Sequence, residues 1–188
     1  MSRPRECRCI LSKRRFFLEV MTITQVRLIP LDAAAIASIL DDIDQFQERT
    51  GVLSARANRT LIVEVARQTS EMLQVGGAQA PWCGYLAISD ATSSFVGTCG
   101  FKGAPKTNGV IEIIYFTFPE GEHKGYATAM ANALIDIARR AGRIRKIIAY
   151  TTPQHGAAVR VLEKIGMSFG GEVTHPEEGR RWNWELLL

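Results

Sequence analysis

The chain has 188 residues, 46% of them hydrophobic and 22% charged, with a formal net charge of +4. That length suits one domain with a real core and is too short to expect two, and no apolar run approaches the roughly 18 residues that a membrane span needs. The basic excess is local: residues 1–20 hold six basic side chains against Glu6 and Glu19, which leaves 17 of each sign in 21–188 and argues against a nucleic-acid surface on the fold itself.

Residues 1–20 therefore read as a basic, disordered leader or an extension upstream of a natural start at Met21, where the fold starts afresh, the alternative being a basic arm for a nucleic acid or a membrane surface. Their apolar stretch is interrupted by Lys13, Arg14 and Arg15 and lacks the unbroken core of a secretory signal. Cys7 and Cys9 stand as C-x-C with no further ligand at zinc spacing, and Cys83 and Cys99 fall in apolar strands. Four cysteines in this setting read as reduced thiols in a cytoplasmic protein.

In chain order, residues 23–30 alternate as a first strand ending at Pro30. Asp32 caps a helix over 33–43, with Ile36, Ile39, Leu40 and Ile43 as its apolar face. Residues 44–58 are polar and irregular. A second helix over 60–73 carries Leu61, Val65, Thr69 and Leu73 along one side. Strands over 82–89 and 95–102 follow, joined by a turn-rich segment as a hairpin. A central strand over 110–118 stops at Pro119. After a glycine-containing loop comes an amphipathic helix whose stripe is Ala127, Met130, Ala131, Leu134, Ala138 and Ala141, closed by Gly142. The chain then reads as a strand over 146–151, a helix over 153–165 closed by Gly166, and strands over 167–174 and 181–188. The order β-α-α-β-β-β-α-β-α-β-β predicts an α/β fold, a mixed, mostly antiparallel sheet flanked by helices. The last strand, with Trp182, Trp184, Leu186 and Leu188 on one face, could serve an edge-to-edge homodimer as readily as the core.

The junction after Pro119 is suited to an anion. A helix start offers four unpartnered N–H groups and the positive end of the macrodipole, and Gly121, Gly125 and Ala127 would leave the backbone open to a phosphate. No two of the three histidines have metal-ligand spacing, so no metal is expected.

EIIYFTFPEGEHKGYATAM resembles the GNAT superfamily of acetyl-CoA-dependent N-acetyltransferases, in its ribosomal-protein-alanine and small-amine branch. Glu112, Tyr115, Pro119, Lys124, Gly125, Tyr126, Ala127 and Thr128 fall in the family's places, and TTPQHGAAVRVLEKIGM is similar to its second motif. The resemblance covers 21–188. It departs at Glu122, where the family usually has Gln or Arg, at His155 for Asn and Ala158 for Ser, and in having no tyrosine beyond Tyr150.

The resemblance implies acetyl-CoA as co-substrate and acetyl transfer to a small-molecule or peptide amine, while composition gives no membrane partner and the neutral charge balance of 21–188 argues against nucleic acid. It puts Glu122, His123, Lys124, Gly125, Tyr126, Ala127 and Thr128 on the pyrophosphate. Phe116, Thr117 and Phe118 would pair with the pantetheine arm, His155 would touch the cofactor, and Glu112 would be the base. The acceptor would lie against residues 41–58, where Asp41, Asp42, Asp44 and Glu48 suit a cationic amine. The alternative is a non-catalytic acyl-CoA-binding regulatory module.

Overall fold

Strands β1 (Val26–Pro30), β2 (Gly84–Ser89), β3 (Ser94–Phe101), β4 (Val110–Thr117), β5 (Lys146–Thr151), β6 (Ser168–His175) and β7 (Gly179–Leu187) form one sheet in the order β1-β2-β3-β4-β5-β7-β6. They belong to a computed structural model that describes residues 24–76, 80–175 and 178–188. Every neighbouring pair is antiparallel except β4 and β5, which run parallel. The mixed, mostly antiparallel sheet expected from the sequence is the observed one. The expectation for residues 1–20 lies outside the described residues.

The two faces of the sheet have separate cores. One is covered by α4 (Tyr126–Ala141) and α5 (Ala157–Lys164). Met130, Leu134 and Ala138 of α4 and Leu162 of α5 pack there on Ile111, Ile113, Ile147 and Trp184. The other is covered by α1 (Ala33–Asp41), α2 (Ile43–Thr50) and α3 (Arg59–Gly76), whose Ile36, Ile39, Phe46, Ile62 and Ala66 pack on Leu86, Ile88, Phe95 and Phe118.

Three local expectations are corrected. Residues 44–58 are not irregular throughout, because Asp42 ends α1 and starts α2, its Oδ1 accepting from the N–H groups of Asp44 and Gln45 at 2.9 and 3.1 Å. Gly51 closes α2 in the left-handed conformation. The buried face of α3 is Ile62, Ala66 and Thr69, while Leu61 is exposed, so the helix is rotated by about one residue from the expected stripe. Finally, β7 is paired on both sides, by β5 and β6, and cannot be the edge of a strand-to-strand dimer. Trp184 is buried and its Nε1 donates to Thr151 Oγ1 at 3.2 Å.

Candidate active site

β4 and β5 pair only from Val110 to Glu112, against Lys146 to Ile148. Beyond Glu112, β4 is left with β3 alone among the described residues. Two bonds fix the parity of that ladder: Lys102 N–H to Glu112 C=O at 3.0 Å and Phe118 N–H to Val96 C=O at 2.9 Å. In an antiparallel pair the bonded residues alternate, so Glu112, Ile114, Phe116 and Phe118 turn their backbone polar groups to β3. Ile113, Tyr115 and Thr117 turn theirs to the open side. This corrects the expected pairing of Phe116 and Phe118 with a bound arm. The register directs the amide of Phe116 to Thr98, and Phe118 is also a core side chain, 1% exposed. The groups facing the gap are those of Tyr115 and Thr117.

The strand leads into a tight turn. Gly121 N–H donates to Phe118 C=O at 2.8 Å, and a Cβ at Gly121 would come within 3.1 to 3.2 Å of Thr117, Tyr126 and Val96, so a larger residue would have to push these neighbours back. His123 follows with φ 60°, then Gly125 with φ 84° as the N-cap of α4. Left-handed residues between ordinary ones turn successive N–H groups to one side, the geometry of an anion nest. No side chain caps α4, and its first intrahelical bond is Ala129 N–H to Gly125 C=O at 3.0 Å. The amides of Tyr126, Ala127 and Thr128 are thus available to a ligand.

The loop is braced from outside. Thr24 Oγ1 donates to Lys124 C=O and Lys124 Nζ to Glu120 C=O, both at 2.7 Å. Buried Asn58 donates from Nδ2 to Glu120 Oε2 at 3.1 Å, and this bond holds the Glu120 carboxyl below its ordinary pKa. Lys124 is spent on the turn, so its side chain points back to the loop's own carbonyl rather than into the cavity.

Between β4, the start of α4 and α5 lies a cavity of about 450 Å³. It gathers Phe116, Thr117, Glu122, His123, Gly125, Tyr126, Ala127 and Thr128 of the residues expected to hold the cofactor. It excludes Phe118, Lys124 and His155. His155 stands exposed outside, its ring 5.0 Å from that of Trp182. Sequence reasoning missed the α5 wall: Ala157, Ala158, Arg160, Val161 and Lys164. Small residues beside two cations at i and i+4 on a helix were the available signal, and only the tertiary fold turns them to the α4 terminus.

Glu112 is outside this cavity, on the opposite face of β4. Its side chain is 17% exposed, with Lys102 Nζ at 3.9 Å. Burial raises its pKa, and the charge of Lys102 opposes this only in part. Tyr150, on β5, lies on the same face, its pKa raised first by burial and then by the carboxylates of Glu112 and Glu185. Its ring is 5.2 Å from that of His175. The acidic segment expected to meet an acceptor is partly committed elsewhere: Asp42 caps α2, and Asp44 Oδ2 accepts from Arg59 Nη1 at 3.0 Å. Cys83 and Cys99 are buried free thiols, with burial raising the pKa of both. Among the described residues there is no cluster of metal-ligating side chains and no helix long and apolar enough to cross a membrane.

Residues 25–168 match the family model described as an acetyltransferase (GNAT) domain. Two proteins of Bacillus subtilis (strain 168) align with part of the chain. YkkB is 31% identical over 105 residues, 55% of this chain and 58% of its own length. The N-acetyltransferase YjdG is 30% identical over 82 residues, 44% of this chain and 49% of its own length. The chain thus spans about half the length of the curated relatives it matches. RimL, a ribosomal L7/L12 α-N-protein acetyltransferase solved in complex with coenzyme A, has the same fold, with a TM-score of 0.62 at 14% identity over 88% of this chain and 96% of that one. The family match takes in β4, the nest and both helices that wall the cavity, and by it the chain belongs to the GNAT acetyltransferase family.

Proposed function

We propose that the protein is an acetyl-CoA-dependent N-acetyltransferase that acts on a primary amine, a peptide N-terminus or a small amine, by direct attack in a ternary complex. The observation that carries this reading is the nest of free amides at the start of α4, opening into a cavity beside the unpaired edge of β4. The pyrophosphate lies on the N–H groups from His123 to Thr128, with Arg160 and Lys164 supplying the cations that Glu122 does not. The pantetheine arm extends along the outward groups of Tyr115 and Thr117 as an added strand. One of those N–H groups then faces the thioester oxygen as charge develops on it.

In the transfer, the amine nitrogen attacks the thioester carbonyl. The C–N bond forms, the C–S bond breaks, and the electron pair leaves on sulfur as thiolate. Glu112 takes the amine proton, directly or through a water. A carboxyl group ordinarily titrates near about 4.3, and the burial that raises the Glu112 pKa makes it a better base. A simple thiol has a pKa of about 8.5, so the leaving group needs no acid, which suits a chain with no tyrosine beyond Tyr150.

The test is thiol release from acetyl-CoA with a panel of primary amines. The reading requires amine-dependent CoA release and an acetylated product by mass. Tight CoA binding with no turnover on any amine would instead give the non-catalytic acyl-CoA module.

A further inference from the structure

β4 is the fourth of seven strands, where both faces are ordinarily covered. One of its faces is: Ile111 and Ile113 lie under α4. Among the described residues the other is covered only at its end, where Phe118 packs under α1 and α3. Before that point the helices stop, and two large apolar side chains on the same face stand open to water, Ile114 at 49% and Phe116 at 51% exposed. Next along the face comes Glu112, mostly buried.

We propose that Ile114 and Phe116 form the acceptor subsite and select a primary amine that carries an apolar group a few bonds from its nitrogen. This rests on the acetyltransferase reading above and names the substrate class for it. Two observations point to this occupant. Phe116 also lines the cofactor cavity, so the apolar face is continuous with the cofactor site. At the other end the Glu112 carboxylate complements an ammonium. Residues on one strand face repeat about every 7 Å, so Ile114 is one step and Phe116 two steps from that carboxylate. An isolated exposed apolar residue needs no explanation, but an adjoining pair at the mouth of a cavity is the form a ligand-covered surface takes.

The experiment compares 2-phenylethylamine with ethanolamine, two primary amines that differ in the apolar group. Binding is measured by calorimetry on the CoA-loaded full chain, and acetylation by kcat/KM. The phenyl amine is expected to lead by at least about tenfold in both. Ile114→Ser should cut that lead at least fivefold while the KM for acetyl-CoA stays within twofold, and Ile114→Leu should keep it. Ile114→Thr, β-branched and suited to a strand, serves if the serine variant fails to fold. Equal affinities, a lead for ethanolamine, or a lead that survives Ile114→Ser and Ile114→Thr would overturn the subsite. Equal acetylation of both amines would leave the acetyltransferase reading standing without it. A phenyl-selective binding that never leads to acetylation would keep the subsite and overturn the catalytic reading.

Discussion

Glu112 concentrates the conflict between stability and chemistry. Its folded pKa is raised, so whatever it contributes to stability is present below the ordinary carboxylate pKa and is lost as pH rises through the folded value. At any pH above that folded value the ionised carboxylate costs stability. Glu112→Gln should lower kcat by about 10²- to 10⁴-fold. It should change the KM for acetyl-CoA little, and at pH 7 it should melt no lower than the parent. A melting temperature that falls with the activity would make Glu112 a structural residue. The acid limb of kcat/KM should have its midpoint above about 4.3 and vanish in the variant. On the cavity's other wall, Arg160→Ala and Lys164→Ala should each weaken acetyl-CoA several-fold. Neither should affect acetyl-pantetheine, which has the thioester but no pyrophosphate. An equal loss for both thioesters would show that these cations do not read phosphate.

Among the elements, the loop between β4 and α4 depends on segments remote in sequence. Thr24, just before β1, donates to the carbonyl of Lys124, the residue ahead of the N-cap. Thr24→Val keeps the shape and removes the donor. It should raise the KM for acetyl-CoA a few-fold at unchanged kcat, and Thr24→Ser should restore it; a fall in kcat alone would place Thr24 elsewhere in the mechanism. The α1–α2 corner is a stability feature rather than a catalytic one. Asp42→Ala removes an N-cap with two bonds and should cost about 0.5–2 kcal/mol, read in denaturant unfolding, with acetylation retained below the transition. Both elements also mark where the sequence was hard to read. α2 has eight residues, of which only Phe46 and Gln47 are buried, so its helical period is weak and its start is set by the Asp42 side chain. The stripe of α3 was misplaced because Leu61 is apolar yet faces solvent.

At the scale of the whole molecule, most of the fold was legible because strand alternation and the α4 stripe each span many residues. The nest was legible because its glycines stand in a known motif. What the sequence could not show depends on neighbours. The parity of β4 is set by its ladder with β3, which turns Phe116 and Phe118 away from the gap and Tyr115 and Thr117 toward it. The role of α5 as a cavity wall follows from the parting of β4 and β5 after Glu112. His155, chosen by its place in a motif, pairs with Trp182 outside the cavity. The account rests on the nest at the start of α4 as a cofactor site. Its most direct test is calorimetric titration of the full chain and of Gly125→Val with acetyl-CoA, with ATP as a control polyphosphate. At Gly125 the backbone has φ 84° and an added Cβ would lie 3.1 Å from Thr24 Oγ1, so the substitution distorts the nest itself. One-to-one micromolar binding of acetyl-CoA, much tighter than ATP and at least tenfold weaker in the variant, is the predicted result. No saturable binding to the parent chain, or equal binding to the variant, would contradict it.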